Sequence, residues 1–432
     1  MEAYAQALNI AIPVFLVLIL LEFAYSRIKG LKTSNSMDTI SSLSSGITNV
    51  TKDVLGLSIA VVSYSWLEQR IGIFDIKSGV LAYVLAFIGK DFAGYWIHRM
   101  EHRVNFFWNR HIIHHSSEEF NLPCALRQSV SEIFSFSAFF LFPMALIGVP
   151  AEVFAVVAPI HLFLQFWYHT RHIGRLGFLE YFLVTPSHHR VHHAINPEYL
   201  DKNFSQIFII WDKLFGTFQE EKKDIPPVYG VKRPVRTWNP LIINFQHAWL
   251  VIRDACRTRS WWDKARIWFM PTGWRPPDVA EKYPVETLED VYSLKKYAPK
   301  ASKFLIAWSY LQLIVTLLLS LYLFNRIAYI PYEQVLLYGG FIFYSVFSYT
   351  TLMDRKSYAW VLEGIRALLG ISVIVATGDW FYLSEIIPAG DLLVAGYFVL
   401  SWAVVGALVK WDINREEHGH TSHALATSSV NA

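Results

Sequence analysis

Residues 80–115 read VLAYVLAFIGKDFAGYWIHRMEHRVNFFWNRHIIHH. Residues 80–97 are long and apolar enough to cross a bilayer as a helix. Five histidines follow directly: His98, His102, His111, His114 and His115. On a helix, residues three and four apart share one face. The H-x3-H and H-x2-H-H spacings therefore predict that each motif points its imidazoles in one direction, as the ligands of a metal ion must.

A third motif lies further along the chain. It contains His189, His192 and His193, again as H-x2-H-H. The eight imidazoles of the three motifs are enough to hold two metal ions and leave positions open for oxygen. Imidazole suits iron, zinc and copper, so the ligands alone do not choose the metal. The chain has only Cys124 and Cys256, expected as reduced thiols, which excludes a cysteine-rich zinc site.

Other histidines have separate interpretations. His169, which shares a helical face with His172, is predicted as a ninth ligand, and His172 is a weaker candidate. His161 and His247 are expected to be solvated side chains at the membrane interface. The tail histidines are expected in a disordered segment: His418, His420 and His423.

Asp91 stands out because it lies in apolar sequence, where an ionisable group is costly and suggests function. It shares a helical stripe with Tyr95, His98 and His102. We predict that Asp91 accepts a hydrogen bond from a ligand imidazole and fixes the tautomer of that ring. The alternative is a pair with Lys90, or between two helices, without a role at the metal.

Residues beside the motifs also have two interpretations. Glu118, Glu119 and Asn121 are either outer hydrogen-bond acceptors or part of a solvated turn. The neighbouring aromatic residues either line a channel for an acyl chain or serve as packing and interfacial anchors: Phe106, Phe107, Trp108, Phe166, Trp167 and Tyr168.

Composition indicates a membrane protein. The 432 residues are 53% hydrophobic and 17% charged, below the quarter that is usual in soluble domains. A net charge of +3 is too small to argue for nucleic acid. We predict an all-α, multi-pass transmembrane bundle with a histidine-rich di-metal catalytic cap. Candidate spans are residues 8–25, 45–66, 80–97, 130–148, 151–168, 303–324, 333–352, 360–377 and 392–409, of which 130–168 could be a hairpin that does not cross fully.

The order of apolar spans and histidine motifs divides the chain into five regions. We expect N-terminal transmembrane helices in 1–79, a catalytic region in 80–275, a linker in 276–302, C-terminal transmembrane helices in 303–410 and a disordered tail in 411–432. The first span is interpreted as a retained anchor. Lysines and arginines follow the first, third, seventh and ninth spans, which predicts that the histidine motifs lie on the cytoplasmic side.

The three motifs match the signature H-x3-H, H-x2-H-H and (H/Q)-x2-H-H. With Thr185–His193, Asn196-Pro197 and the run WDKLFGTF at 211–218, the chain resembles the fatty acid hydroxylase / sterol desaturase superfamily over residues 80–275. It is most similar to the alkylglycerol monooxygenase branch and its bacterial relatives. The resemblance implies a di-iron oxygenase with the eight motif histidines as ligands, acting with O2 on a membrane lipid.

In that branch the substrate is an ether lipid and the reductant is tetrahydrobiopterin. The chain shows no recognisable pterin motif, so the donor is either a reduced pterin, by analogy alone, or a reductase. Lipid hydroxylation or ether cleavage is the preferred interpretation. One alternative is desaturation of a sterol or fatty acyl chain with the same ligands. Another is a non-redox metal protein or transporter, which should place histidines or carboxylates at mid-depth in several spans.

Overall fold

The computed structural model describes residues 2–57, 59–60, 63–132 and 134–413, and helices dominate this part of the chain. Strands Ile59–Ala60 and Phe134–Ser135 form one short parallel pair. Helices of 3-10 type cover Leu122–Leu126, Gly177–Tyr181, Val291–Ser293 and Leu383–Glu385, and Val409–Ile413 is a π-helical turn. The α-helices are α1 (Glu2–Ile28), α2 (Ser36–Val54), α3 (Tyr64–Ile71), α4 (Val80–Arg103), α5 (Asn105–His115), α6 (Ser137–Phe140), α7 (Phe142–Leu146), α8 (Ala151–Phe163), α9 (Pro186–His192), α10 (Ile210–Leu214), α11 (Pro240–Arg257), α12 (Trp261–Arg266), α13 (Pro277–Lys282), α14 (Lys303–Arg326), α15 (Tyr332–Met353), α16 (Ala359–Thr377) and α17 (Gly390–Leu408).

Six helices of the described chain are long and apolar enough to span a membrane. They confirm six of the nine spans expected from the sequence, and the protein is an integral, multi-pass membrane protein. The spans are Leu8–Ile28, Val80–Arg103, Lys303–Arg326, Tyr332–Met353, Ala359–Thr377 and Gly390–Ile413.

The expected spans at 130–148 and 151–168 are wrong as full crossings. Helices α6 and α7 are too short to cross, and Gly148 follows them with a φ of +78°. A β-carbon there would lie 1.9 Å from the carbonyl oxygen of Phe74, so the tight turn requires glycine. Helix α8 has 13 residues, about 20 Å of helix, whereas the hydrocarbon core is about 30 Å thick. The segment fits a hairpin that does not cross fully.

The expected span at 45–66 is also wrong, because α2 ends at Val54 and a turn follows. Helix α2 is rich in buried serine and threonine and is shielded by its neighbours rather than by lipid. Ser44 contacts the hydroxyl of Tyr349 at 2.5 Å, and the Leu55 carbonyl accepts from the Tyr332 hydroxyl. These contacts place α2 antiparallel to α15, so the chain returns through the bundle along a polar helix that hydropathy does not detect.

Helices α14 to α17 pack together with α1 and α2 around the largest hydrophobic core. Its centre contains a fully buried ion pair between Glu363 of α16 and Arg366. Ser401 of α17 accepts from Arg366 at 2.9 Å and contacts the amide of Gln312 at 2.8 Å. Buried charges persist in such an interior only when partners satisfy them, so this network fixes the register of the helices.

The tail histidines, with the rest of residues 414–432, lie outside the described residues. Residues 411–413, which were assigned to the tail, complete the final helical turn.

Candidate metal centre

Three helices carry the histidine motifs to one place. Helix α4 ends at Arg103, so His98 and His102 lie one turn apart at its end. Extended Val104 breaks the helix, and α5 begins at Asn105 and presents the second motif in its last turns. Helix α9 carries His189 and His192 of the third motif and ends at His192, with His193 as its C-cap. Each motif therefore has the helical conformation that its spacing predicts.

The first group of imidazoles contains five rings whose nitrogens all lie within 4.8 Å of one another: His98, His102, His111, His115 and His192. The Nε2 atoms of His98 and His111 are 2.9 Å apart, and those of His102 and His115 are 3.1 Å apart. His192 approaches His115 at 3.1 Å. All three motifs contribute to this group.

The second group contains four rings under the same distance limit: His114, His169, His189 and His193. The Nε2 atoms of His114 and His169 are 3.3 Å apart. His189 lies 2.8 Å from His169 and 3.0 Å from His193. His169 reaches this group from the turns that follow α8, outside the three motifs. The two groups adjoin, since the rings of His115 and His193 stack at 4.3 Å.

The outer nitrogens of four of these rings donate hydrogen bonds to backbone carbonyls, whereas the buried Nδ1 of His189 has no hydrogen-bond partner. His98 Nδ1 donates to the carbonyl of Phe204 at 2.7 Å, and His192 Nδ1 donates to that of Lys202 at 3.0 Å. In the second group, His114 donates to the carbonyl of Arg127 and His169 to that of Gln165. Because a carbonyl only accepts, Nδ1 carries the hydrogen in each neutral ring, and Nε2 presents a bare lone pair to its neighbours.

Burial keeps these rings neutral. It is the main cause that holds the pKa of His115, His189 and His193 well below the ordinary histidine value, and the neighbouring imidazoles lower it further. The pKa of His114 falls to about 4, mainly through burial. The same direction and leading cause hold for the other rings outside the membrane spans: His111, His169 and His192.

This arrangement fits metal ions. His114 and His169, both bonded through Nδ1, cannot hydrogen-bond to each other through Nε2, so their lone pairs repel at 3.3 Å unless a cation lies between them. Nitrogens bound at about 2.1 Å to one ion, at angles of about 90–110°, would be about 3.0–3.4 Å apart. The separations of 2.8–3.3 Å agree closely with that geometry. The donors are all nitrogen, which suits iron, zinc or copper.

Asp91 does not occupy its expected place. Its carboxylate accepts hydrogen bonds from the backbone N–H groups of Ile207 and Phe208, from the Trp211 indole, and from His161 at 2.9 Å. The expected bond to a ligand imidazole is therefore wrong: the ring that Asp91 holds belongs to neither group. The interhelical alternative describes it better, because Asp91 joins α4 to α8 and to the 204–211 loop.

The expectation that His161 and His247 are solvated is also wrong. Both are buried: His161 is bonded to Asp91, and His247 donates to the carbonyl of Asn105 at 3.0 Å. His172 lies apart from both groups and contacts the hydroxyl of Ser26 at 2.7 Å.

The acidic turn after the second motif makes its contacts away from the two groups of imidazoles. Glu118 accepts from the backbone of Tyr297, and Glu119 pairs with Arg171 and Lys296. Asn121 donates to the carbonyl of Thr33.

The carboxylates that do lie beside the rings were not singled out from the sequence. Asp201 lies 3.7 Å from His102 Nδ1. Glu101 lies three residues after His98 on α4, so the i, i+3 rule places both side chains on one helix face and could have identified Glu101 from the sequence. Asp201 has no such signal, because only the tertiary fold brings its loop to α4.

A cavity of about 370 Å³ opens onto the centre. His102, His115, His192 and His193 form one of its walls, and Trp108, Ile112 and Leu250 are among its apolar lining residues. A second cavity of about 200 Å³ lies beside Glu101 and is lined by Phe106, Phe107 and Phe136. Phe166 packs on Phe15 instead, and Tyr168 contacts the ring of His189.

Comparisons with known proteins agree with this site. The Fatty acid hydroxylase family model matches residues 83–217. The chain is 35% identical to alkylglycerol monooxygenase of Xenopus tropicalis over 82% of this chain and 79% of that protein. The enzyme of Homo sapiens is also 35% identical, over 83% and 80%, and that of Danio rerio is 32% identical, over 96% and 93%. No solved structure gives a significant match to this chain.

Proposed function

Because the chain belongs to the alkylglycerol monooxygenase family, we propose that it cleaves an alkylglycerol-type ether lipid with O2 at a di-iron centre. Family membership establishes the coarser function: this membrane protein is an oxidoreductase that hydroxylates lipids. The family match at residues 83–217 lies inside 80–275, which we propose as the catalytic region. The observation that supports the finer proposal is the convergence of nine neutral imidazoles.

We assign the ligands by group. His98, His102, His111, His115 and His192 would hold one iron, and His114, His169, His189 and His193 the other. When bound, two irons supply the redox chemistry that lets O2 hydroxylate an unactivated C–H bond. Zinc fits the same nitrogens but has no redox chemistry, so iron is the metal that the family's reaction requires.

The residues of the chain bind and shield the lipid. The larger cavity brings an alkyl chain to the rings of His115 and His193, and its apolar walls exclude water from the reacting carbon. The hydrogen bonds to the Nδ1 atoms hold the rings in place, so that little reorganisation is needed during reaction. Phe204 and Arg127 contribute backbone carbonyls to this positioning.

Hydroxylation next to an ether oxygen breaks the ether. One atom of O2 enters the C–H bond, and the other leaves as water with two electrons and two protons from an external donor. The product is a hemiacetal, which collapses to an aldehyde and a free glycerol hydroxyl. We propose tetrahydrobiopterin as the donor by analogy with the family, with a reductase as the alternative.

The test uses purified full-length protein in lipid nanodiscs, loaded with ferrous iron and supplied with 1-O-hexadecylglycerol, tetrahydrobiopterin and O2. We expect hexadecanal and glycerol in equal amounts, with no turnover in zinc-loaded protein. An alkene with an intact ether would instead support desaturation. Turnover of a hydrocarbon chain without ether loss would limit the function to lipid hydroxylation.

A further inference from the structure

The larger cavity is lined by more cationic than anionic side chains. Its lining contains four cationic side chains, those of Arg103, Lys232, Arg233 and Arg275, but only two carboxylates, Asp201 and Asp254. The cavity lining therefore has two more cationic than anionic side chains. Arg233 and Arg275 are the partly buried cations, whereas Arg103 and Lys232 are exposed.

Both carboxylates are already engaged. Asp254 is buried and accepts two hydrogen bonds from Arg275, at 2.5 and 3.0 Å. Asp201 lies 3.6 Å from Arg103 and 3.7 Å from His102. Neither is left to neutralise the remaining cations, so an added anion would not compete with an existing partner.

Arg233 is the cation without a partner. In the described structure its guanidinium forms no hydrogen bond and no ion pair, although it is half-buried. Burial, followed by the charges of Arg275 and Arg253, lowers its pKa. The Nε atom of Arg253 is itself buried without a hydrogen-bond partner. A buried and unpaired guanidinium is costly, and fixed charges of the same sign nearby increase that cost.

We propose that the Arg233 region of this cavity binds the phosphate group of the lipid substrate. A phosphate monoester carries close to two negative charges at neutral pH, which matches the surplus, and the planar guanidinium binds phosphate oxygens in a bidentate manner. The metal-binding imidazoles and Arg233 line one cavity, so a headgroup held at Arg233 would leave the ether-linked chain within the space beside the rings. The inference rests on the proposed function, because it identifies the class of its substrate.

The test measures binding rather than turnover. Purified full-length protein in detergent micelles is titrated with 1-O-hexadecylglycerol 3-phosphate, with neutral 1-O-hexadecylglycerol and with sn-glycerol 3-phosphate. We expect the phosphorylated ether lipid to bind about ten- to a hundredfold more tightly than the neutral one, the range expected for charge-assisted hydrogen bonds. Arg233→Gln should remove that preference, and Arg233→Lys should retain part of it.

The matched control is Arg236→Gln. Arg236 lies on the same segment but pairs with Glu286 at the surface, outside the cavity lining, so its loss should leave the preference unchanged. Metal content and elution volume of each variant report whether it is folded. Equal binding of the two ether lipids, or a preference that survives Arg233→Gln in folded protein, would overturn the phosphate site.

The three probes also separate the sources of the phosphate. If sn-glycerol 3-phosphate binds as tightly as the phosphorylated lipid, the site takes a free phosphate ester and the lipid assignment is overturned. If it binds much more weakly, the alkyl chain contributes and the headgroup assignment is supported. Cleavage of neutral 1-O-hexadecylglycerol by the unaltered protein is measured separately and reports on the ether-cleavage function alone, so failure of one proposal does not entail failure of the other.

Discussion

At the scale of single residues, His169 has the most informative position. It comes from outside the three motifs and contacts two rings of the second group, His114 and His189. A four-nitrogen group that loses one ligand keeps three, which is few for stable binding against chelators. The first group, with five rings, does not contain His169.

We therefore predict that His169→Ala lowers the iron content from two ions to about one per chain and abolishes turnover. His172→Ala is the matched control, because His172 lies three residues away and contacts Ser26 instead of the rings. Iron is measured by mass spectrometry after gel filtration. Two tightly held irons and full activity in His169→Ala would remove His169 from the ligand set.

Glu101 acts on a ligand from outside the group. Its carboxylate lies 3.2 Å from His111 Nδ1, and a carboxylate in this position orients a ligand ring and increases the basicity of Nε2. We predict that Glu101→Gln weakens iron binding by about 10- to 100-fold, the usual effect of losing such a partner. The measurement is a competitive titration with a chelator of known affinity.

Glu132 offers the comparison for that experiment. It pairs at 2.9 Å with Arg110, which also pairs with Glu101, so Glu132→Gln tests whether the charge of Arg110, rather than the contact with the ring, controls iron affinity. We expect Glu132→Gln to change the affinity much less than Glu101→Gln. Equal losses in the two variants would show that Glu101 acts through Arg110.

At the scale of elements, the 204–211 loop determines the position of His98. Asp212 accepts from the backbone N–H groups of Phe204 and Ser205 at one end of this loop, and Asp91 holds the other end through Ile207 and Phe208. Two buried carboxylates thus fix the backbone whose Phe204 carbonyl accepts from His98. Asp91 is a positioning residue that acts through this loop.

We predict that Asp91→Asn destabilises the protein by about 1–3 kcal/mol, because an amide cannot accept all of these hydrogen bonds and leaves buried donors unsatisfied. Thermal unfolding of metal-free protein measures this loss without the contribution of bound iron. His161→Phe removes one of the donors to Asp91 and serves as the comparison, with a smaller expected effect. An unchanged melting temperature in Asp91→Asn would contradict the anchoring role.

Helix α2 shows how a polar element supports the site. Its Asp38 forms a buried ion pair with Arg127 at 2.7 Å, and the carbonyl of Arg127 accepts from His114. Ser42 and Ser116 complete the bonding of the same guanidinium. Ser42, one of the serines that disqualify α2 as a lipid-facing span, is thus among the groups that satisfy the buried charge of Arg127.

At the scale of the whole molecule, the chain's own cysteines can be used to test on which side of the membrane the catalytic cap lies. Cys256, on α11 of the cap, is exposed, and Cys124 is buried. We propose that the cap faces the cytoplasm, on the basis of the lysines and arginines that follow the spans. The prediction is that a membrane-impermeant maleimide labels the protein only after the cells are permeabilised.

Cys256→Ser provides the control, since it leaves only the buried thiol and should abolish labelling in folded protein. Labelling of Cys256 in intact cells would place the cap on the opposite side and overturn the orientation. The result is independent of the metal and of the substrate.

The sequence by itself determined the helical conformation of each motif and six of the spans. Both are local properties: helical spacing decides which imidazoles share a face, and a long apolar run needs only the bilayer to become a spanning helix. The partition of the rings was not local. His114 joins one group and its neighbour His115 the other, and α9 likewise contributes His192 to the first group and His189 to the second.

Only the tertiary structure decided the remaining features. The ninth ring, the role of Asp91 and the unpaired Arg233 all depend on which distant segments meet, and no spacing along the chain encodes those contacts. Hydropathy did not detect helix α2 for the same reason, since α2 is surrounded by other parts of the protein rather than by lipid. A side chain's own chemistry fixes what it can bind, whereas the packing of the chain around it decides what it does bind.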